Sequence, residues 1–91
     1  MTVLSEKLTF RISHSQSLKD KRQVAGSLIN KARHKFNASI SEVDHQDSHK
    51  LLVIGVAVVS GTSSHAQNMM DEIIRFMENN TDAELIETEP Y

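Results

Sequence analysis

The sequence predicts an α+β fold with the element order β-α-β-β-α-β, and three observations lead to this prediction. Two segments, 18–36 and 66–77, place their apolar residues at helical spacing. Four other segments alternate polar and apolar residues or are continuously apolar, as strands do. Polar, turn-forming residues separate the six segments. Because 91 residues leave room for one core only, a single domain over 1–91 is expected.

The first half of the chain contains a strand followed by a long amphipathic helix. In 3–12 (VLSEKLTFRI) the apolar residues fall largely on one parity, which is typical of a half-buried strand. The next segment, 18–36, is an amphipathic helix of about five turns. Ser17 is the expected N-cap, with Asp20 three residues later, and Asn37 is the expected C-cap.

Two strands follow this helix. The polar segment 38–49 places Ile40 and Val43 on opposite parities, which predicts a bulge in an edge strand. The segment 51–60 (LLVIGVAVVS) is apolar on both parities, which predicts a central strand covered on both faces. Turn residues at 47–50 join the two strands as a hairpin.

A second helix and a last strand complete the order. The helix has Ser64 as its expected N-cap, with Gln67 three residues later, and ends at 79–80. The last strand is 83–90. Two right-handed crossovers joined by a hairpin close these elements into a four-stranded antiparallel sheet with both helices on one face, the ferredoxin-like architecture. The other face of the sheet is left open, with the first and third strands at its centre.

The composition excludes several classes of protein. The chain has no cysteine, so it can form neither a disulfide framework nor a thiolate metal site. Its longest apolar run, 51–59, is about half as long as the roughly 20 residues of a membrane span. The first residues alternate in polarity and carry charges, unlike a signal peptide. We therefore expect a cytoplasmic protein, and no cofactor is predicted.

The net charge of −2 conceals two oppositely charged halves. Residues 1–36 carry eight cations against two carboxylates, whereas 65–91 carry one cation against seven carboxylates. On the first helix a row of cations has Gly26 at its middle, which would let an extended polyanion approach the backbone. The expected nucleic-acid-binding residues are Lys19, Lys21, Arg22, Arg33, Lys35 and Arg11. The alternative is a solvated helix face in which Gly26 serves close packing.

A second polar cluster lies in SEVDHQD, at 41–47. It is a candidate contact site for a partner, formed by Glu42, Asp44, His45, Gln46 and Asp47. Carboxylates and imidazoles at this density could also hold a divalent metal, but along a strand they face opposite ways unless a bulge intervenes. A polar edge strand whose charges block edge-to-edge association is the simplest alternative. No metal is predicted.

The open sheet face predicts a homodimer, because the third strand places apolar residues on it. Catalysis receives little support. The loop SHSQS after the first strand lacks the glycine-rich anion site and arginine that acylphosphatases of this architecture use. A small metal-assisted hydrolase is the least favoured alternative.

The motifs at 17–22, 33–37 and 39–47 resemble the YlxP-like family, small bacterial proteins of unknown biochemical function. The family pattern runs Ser-Leu-Lys-x-Lys-Arg, then Arg-x-x-Phe-Asn, then Ser-x-x-Glu-Val-x-x-Gln-Asp. Members often carry a tryptophan or another bulky residue after Gln-Asp, where this chain has Ser48 and His49. The resemblance implies a ferredoxin-like fold. Genes of this family commonly lie beside those of a translation initiation factor and a ribosome-maturation factor, which implies a role near RNA or the ribosome.

The residues and the resemblance together favour a non-enzymatic protein that binds RNA or a ribosomal ribonucleoprotein. The basic face of the first helix would contact phosphates. The alternative is a protein-interaction module, acting as a homodimer through the open sheet face or through the 41–47 cluster.

Overall fold

The computed structural model describes residues 1–91 as four strands and two helices. In chain order these are β1 (Thr2–Arg11), α1 (Leu18–Lys35), β2 (Ser39–Asp44), β3 (Leu51–Ser60), α2 (Ser63–Asn79) and β4 (Glu84–Pro90). The predicted order β-α-β-β-α-β is confirmed, and with it the α+β ferredoxin-like fold. Neither helix combines the length and the apolar character that a membrane crossing requires.

The four strands form one antiparallel sheet in the order β2-β3-β1-β4. The two central strands, β1 and β3, pair along their whole length, from Thr2 opposite Ser60 to Arg11 opposite Leu51. The pairing of β2 with β3 shifts register around Val43, where the sequence predicts a bulge. A second shift occurs where β4 pairs with β1. Both edge strands therefore carry an irregularity, which makes them poor templates for further strands.

The core lies between the sheet and the two helices. One face of β1 and β3 supplies most of its strand residues, and each helix adds one buried stripe. Burying one large apolar side chain contributes roughly 1.5–3 kcal/mol, so this layer dominates the stability of the fold. The helix α1 packs on β2, whereas α2 packs on β3 and β1. The core residues include Leu8, Phe10, Ile12, Leu28, Ile29, Ile40, Leu52, Ile54, Met70, Ile73 and Met77.

The N-terminus of α1 is capped as predicted. Ser17 Oγ accepts a hydrogen bond from the N–H of Asp20 (3.1 Å). The Asp20 carboxylate in turn accepts from the N–H of Gln16 (3.1 Å), so side chains satisfy two backbone donors here. The helix ends one residue earlier than predicted. Phe36, with extended backbone, is its C-cap in place of Asn37.

The start of α2 differs from the prediction by two residues. Thr62 is the N-cap, because its Oγ1 accepts a hydrogen bond from the N–H of His65 (3.2 Å). Ser64, the predicted cap, already lies within the helix. Three consecutive hydroxyl residues, Thr62 to Ser64, stand at the start of the helix, and each is a suitable cap by residue type.

Candidate functional site

Lys21 and Glu42 form a buried ion pair between α1 and β2. Lys21 Nζ lies 2.8 Å from Glu42 Oε2, and the Lys21 side chain is only 2% exposed. Position 21 shares the buried face of α1 with Ala25, Leu28 and Ala32, so its side chain points at the sheet. This placement corrects the prediction that Lys21 contacts phosphate, because its ammonium is not accessible to a ligand. The ion pair also engages Glu42, which was predicted to contact a partner, in an interaction within the chain.

The same ammonium fixes the start of the hairpin loop between β2 and β3. Lys21 Nζ donates to the backbone oxygen of His45 (2.6 Å), which also accepts from the N–H of Ser48 (3.0 Å). His45 has φ 52, in the left-handed region that non-glycine residues seldom adopt. Such a conformation costs of the order of 1 kcal/mol or more, and these hydrogen bonds hold it in place. His45, Gln46 and Asp47, three predicted partner contacts, lie exposed in this loop.

Asp44, the last predicted partner contact, is also engaged within the chain. Its Oδ1 accepts a hydrogen bond from the N–H of His45 (2.8 Å), and Lys7 Nζ lies 3.6 Å from its Oδ2. The backbone hydrogen bond from His45 is the main cause that lowers the pKa of Asp44 below its usual 3.8, and the charges of His45 and Lys7 lower it further. Because Asp44 pairs with Val53, this carboxylate lies on the open face of the sheet.

The remaining predicted phosphate contacts do not form one row. Arg33 is exposed, but its Nε and Nη2 both donate to the backbone oxygen of Ile40 on β2 (2.9 and 2.5 Å). Arg11 lies on the open face of the sheet, on the side away from α1, and pairs loosely with Glu84 (3.8 Å). Arg11 is therefore separated from the helix cations, which corrects its inclusion in that surface. Lys19 and Arg22 are exposed as predicted.

Lys35 lies on the flank of α1 that faces α2. Its Nζ lies 5.0 Å from the ring centroid of Phe76 and 5.8 Å from that of Phe36, within the range of cation–π contacts. The two rings meet edge to face, with their centroids 5.4 Å apart. Lys31 is exposed one turn earlier on the same flank, a cation that the prediction omitted.

Gly26 does not serve helix packing. A Cβ atom built at this position would meet no atom within 4 Å. The alternative reading of Gly26, close approach to the sheet or to α2, is therefore excluded. Gly55 behaves differently, because a Cβ there would lie 2.8 Å from Cγ1 of Val43, the bulged residue of β2. Val43 covers Gly55 on the open face of the sheet.

Three adjoining depressions run between α1 and α2, a surface that we call the interhelical groove. Their volumes are about 420, 510 and 460 Å³, and all three share Asn80. Gln23, Ser27, Asn30 and Asn79 add further amide or hydroxyl groups to the lining. Lys31, His34 and Lys35 line the middle depression together with Phe76. This surface could not be expected from the sequence, because its residues come from two helices whose packing the sequence does not state.

The open sheet face carries a fourth depression, of about 410 Å³, which is floored by Gly55 and Ala57. Tyr91 lines it, and the Nζ of Lys7 lies 4.9 Å from the centroid of the Tyr91 ring. Beyond its rim, Val3 and Val59 stand opposite each other and are 57% and 60% exposed. This face therefore combines an apolar end with a depression that is lined by both charged and apolar residues.

The geometry defines a small α+β protein of the ferredoxin-like type with four solvent-open depressions. No three histidine, aspartate or glutamate side chains come together as a possible metal site. The chain belongs to the family of proteins of unknown function DUF503, whose model matches residues 3–90. It is similar to the uncharacterized protein YlxP of Bacillus subtilis (strain 168), with 32% identity over 63 residues that cover 69% of this chain and 68% of that protein. The predicted membership of the YlxP-like family is thereby confirmed, and the family has no assigned reaction.

Proposed function

We propose that the chain is a non-enzymatic cytoplasmic protein that binds the phosphates of an RNA, free or within a ribosomal ribonucleoprotein. One observation carries this proposal. The helix α1 exposes five cationic side chains and none of them forms an ion pair with a carboxylate. Asp20 is the only acid in the helix. The five exposed cations are Lys19, Arg22, Lys31, Arg33 and Lys35.

The placement of the negative charge supports this reading. The helix α1 packs on β2, at one edge of the sheet, whereas Glu84, Glu87 and Glu89 lie on β4 at the other edge. The positive charge of α1 and the negative charge of β4 therefore form a dipole across the molecule instead of cancelling. Such a field orients a polyanion toward α1 and keeps it from the β4 edge.

The expected binding is modest and depends strongly on salt. Each phosphate neutralised on a single strand contributes about −0.7 to the slope of log K against log salt concentration. Four contacts would give a slope near −3, and binding of this electrostatic kind typically has dissociation constants of about 10⁻⁴ to 10⁻⁶ M at physiological salt.

The test compares two variants with the same net charge. In the first, glutamine replaces Lys19, Arg22 and Lys31, while Lys35 is kept because it packs on aromatic rings. Fluorescence anisotropy with a labelled RNA should show a clear loss of affinity and a shallower salt slope, by about 0.7 for each of the three side chains that contacts a phosphate.

The control variant adds three acids away from α1, by replacing Ser64, Asn68 and Thr88 with glutamate at exposed positions. It lowers the net charge by the same amount but should retain most of the wild-type affinity. Equal losses in both variants, or a wild-type protein that binds no RNA, would contradict the proposal.

The open sheet face supports a second candidate, homodimerisation. Val3, Val43 and Val59 are 57%, 46% and 60% exposed on or beside this face, an apolar surface that a second copy would cover. Sedimentation velocity should then show a concentration-dependent dimer that Val59→Lys dissociates. A wild-type protein that stays monomeric at the highest accessible concentration would refute this candidate.

A further inference from the structure

We propose that the interhelical groove, rather than the outer surface of α1, holds the RNA, and that it takes a single-stranded segment. Lys31 and Lys35 would contact phosphates, and the amide and hydroxyl groups of the lining would contact the bases. This inference rests on the proposed function and assigns a specific surface to it.

The cations of α1 divide between two flanks that differ in shape. Lys19, Arg22 and Arg33 follow the flank toward β2, and none of them lines a depression. Arg33 is moreover tied to the backbone of Ile40. The flank toward α2 carries fewer cations, but there Lys31 and Lys35 line a concave surface that a chain of nucleotides can enter. Concave surfaces with a few convergent polar groups are where ligands bind preferentially.

The lining of the groove has the chemistry that unpaired bases need. Gln23, Asn30 and Asn79 each present a donor and an acceptor, which can pair with the edges of bases. Asn80 donates from Nδ2 to the backbone oxygen of Phe76 (2.8 Å), which fixes its orientation toward the groove. The Watson–Crick edges of bases are open to such groups only when the bases are unpaired, so a single strand fits this lining better than a duplex.

Acidic residues limit the groove at both ends. Asp82 lines the first depression and Glu72 the third, and both would repel a phosphate. Between them the groove carries the cations Lys31 and Lys35 in its middle depression, and Arg75 accompanies Glu72 in the third. The thirteen α1 residues from Gln23 to Lys35 rise about 18 Å along the helix axis, the length of about five nucleotides at the 3.4 Å spacing of a stacked strand.

The contacts of Lys35 show how one of the two cations is held. Its Nζ lies over the rings of Phe76 and Phe36, so the charge stands at the wall of the groove instead of extending into bulk solvent. A preoriented cation loses less side-chain entropy when it binds a phosphate.

The experiment compares matched charge reversals on the two flanks of the same helix. One variant is Lys31→Glu/Lys35→Glu and the other is Lys19→Glu/Arg22→Glu, which have equal net charge. Anisotropy is measured with a labelled oligouridylate of about ten nucleotides, longer than the groove requires. The groove variant should lose at least about tenfold in affinity. The ratio of its affinity at 50 mM salt to its affinity at 200 mM salt should be about sevenfold smaller than the same ratio for the wild type, because two phosphate contacts are lost. The outer variant should lose less than about threefold.

An uncharged pair of substitutions tests the groove by shape alone. Ser27→Leu fills the first depression, whereas Gly26→Leu, at the neighbouring position, projects into open space. Ser27→Leu should weaken binding and Gly26→Leu should not. Circular dichroism of each variant checks that the helices remain folded.

The outcomes separate this inference from the proposed function. If the outer variant loses as much affinity as the groove variant, or if Ser27→Leu binds like the wild type, the groove assignment is overturned while RNA binding stands. An unlabelled RNA duplex that competes as well as the single strand also overturns the assignment. A wild-type protein that binds no RNA refutes the proposed function itself.

Discussion

Replacing Glu42 with leucine would leave the Lys21 ammonium buried without its counter-ion. The Lys21 side chain is 2% exposed, and the His45 backbone oxygen would be its only remaining partner. Breaking a buried ion pair from one side typically costs about 3–5 kcal/mol, because an uncompensated charge remains in a poorly polarisable environment. A chain of this size has a free energy of unfolding of roughly 5–14 kcal/mol, so this single substitution would remove a large fraction of it.

The reciprocal substitution should cost less. Lys21→Met removes the ammonium and leaves the Glu42 carboxylate, whose Oε2 is buried but whose side chain as a whole is 23% exposed, against 2% for Lys21. The His45 oxygen keeps its hydrogen bond from Ser48. We expect a loss of about 2 kcal/mol. The double variant Lys21→Met/Glu42→Leu should return to within about 1 kcal/mol of the wild type, because apolar residues of similar volume replace buried ion pairs well.

Urea denaturation followed by circular dichroism measures the four free energies of this double-mutant cycle. Glu84→Gln, which removes the exposed partner of Arg11, is the matched control and should change stability by less than about 0.5 kcal/mol. A Glu42→Leu variant as stable as the wild type would show that the buried ammonium does not depend on its counter-ion. So would a double variant whose loss equals the sum of the two single losses.

Three further predictions concern single positions. Gly26→Ala should raise the free energy of unfolding by about 0.5–1 kcal/mol in a urea titration, because its Cβ meets no neighbour and alanine favours the helix; a destabilised variant would contradict this. Gly55→Ala should lower the melting temperature, at a cost of about 1 kcal/mol, because its Cβ would press on the stiff side chain of Val43. Val43→Ala should restore stability in the double variant, and a failure to do so would place the strain elsewhere. The Asp44 carboxylate has a lowered pKa in the folded chain, so its stabilising effect is present above about pH 3.8 and is lost as the pH falls through the folded pKa. Melting temperatures should therefore differ between wild type and Asp44→Asn at pH 6 and converge as the pH falls below 3.8 through the lowered pKa of Asp44; a difference that persists in stronger acid would refute this.

The order of the elements could be predicted because hydrophobic periodicity reports directly on local structure. The segment 51–60 is apolar on both parities and is indeed the central strand β3. The bulge at Val43 followed from the change of parity after Ile40. The start of α2 could not be predicted to the residue, because Thr62 and Ser64 are both good caps and tertiary packing selects between them.

The role of Lys21 was misread because its partner lies far away in sequence. The helical wheel places position 21 inside the apolar arc, four, seven and eleven residues before Ala25, Leu28 and Ala32, so the spacing itself indicated a buried side chain. A further signal was present in the sequence. Glu42 shares the parity of the buried Ile40, so a carboxylate faces the same layer. The position of α1 over β2, which joins the two charges, depends on packing that periodicity does not encode.

The bidentate contact of Arg33 with the Ile40 oxygen has a consequence for aggregation. A free backbone oxygen on an edge strand is an acceptor that another chain can use to extend the sheet, the first step toward domain swapping or fibrils. The guanidinium occupies this acceptor and places a positive charge beside it, so an incoming strand would have to displace a formed contact and approach a cation. Arg33 thus protects one backbone acceptor on the β2 edge of the sheet, and this disfavours self-association of the folded chain through that edge.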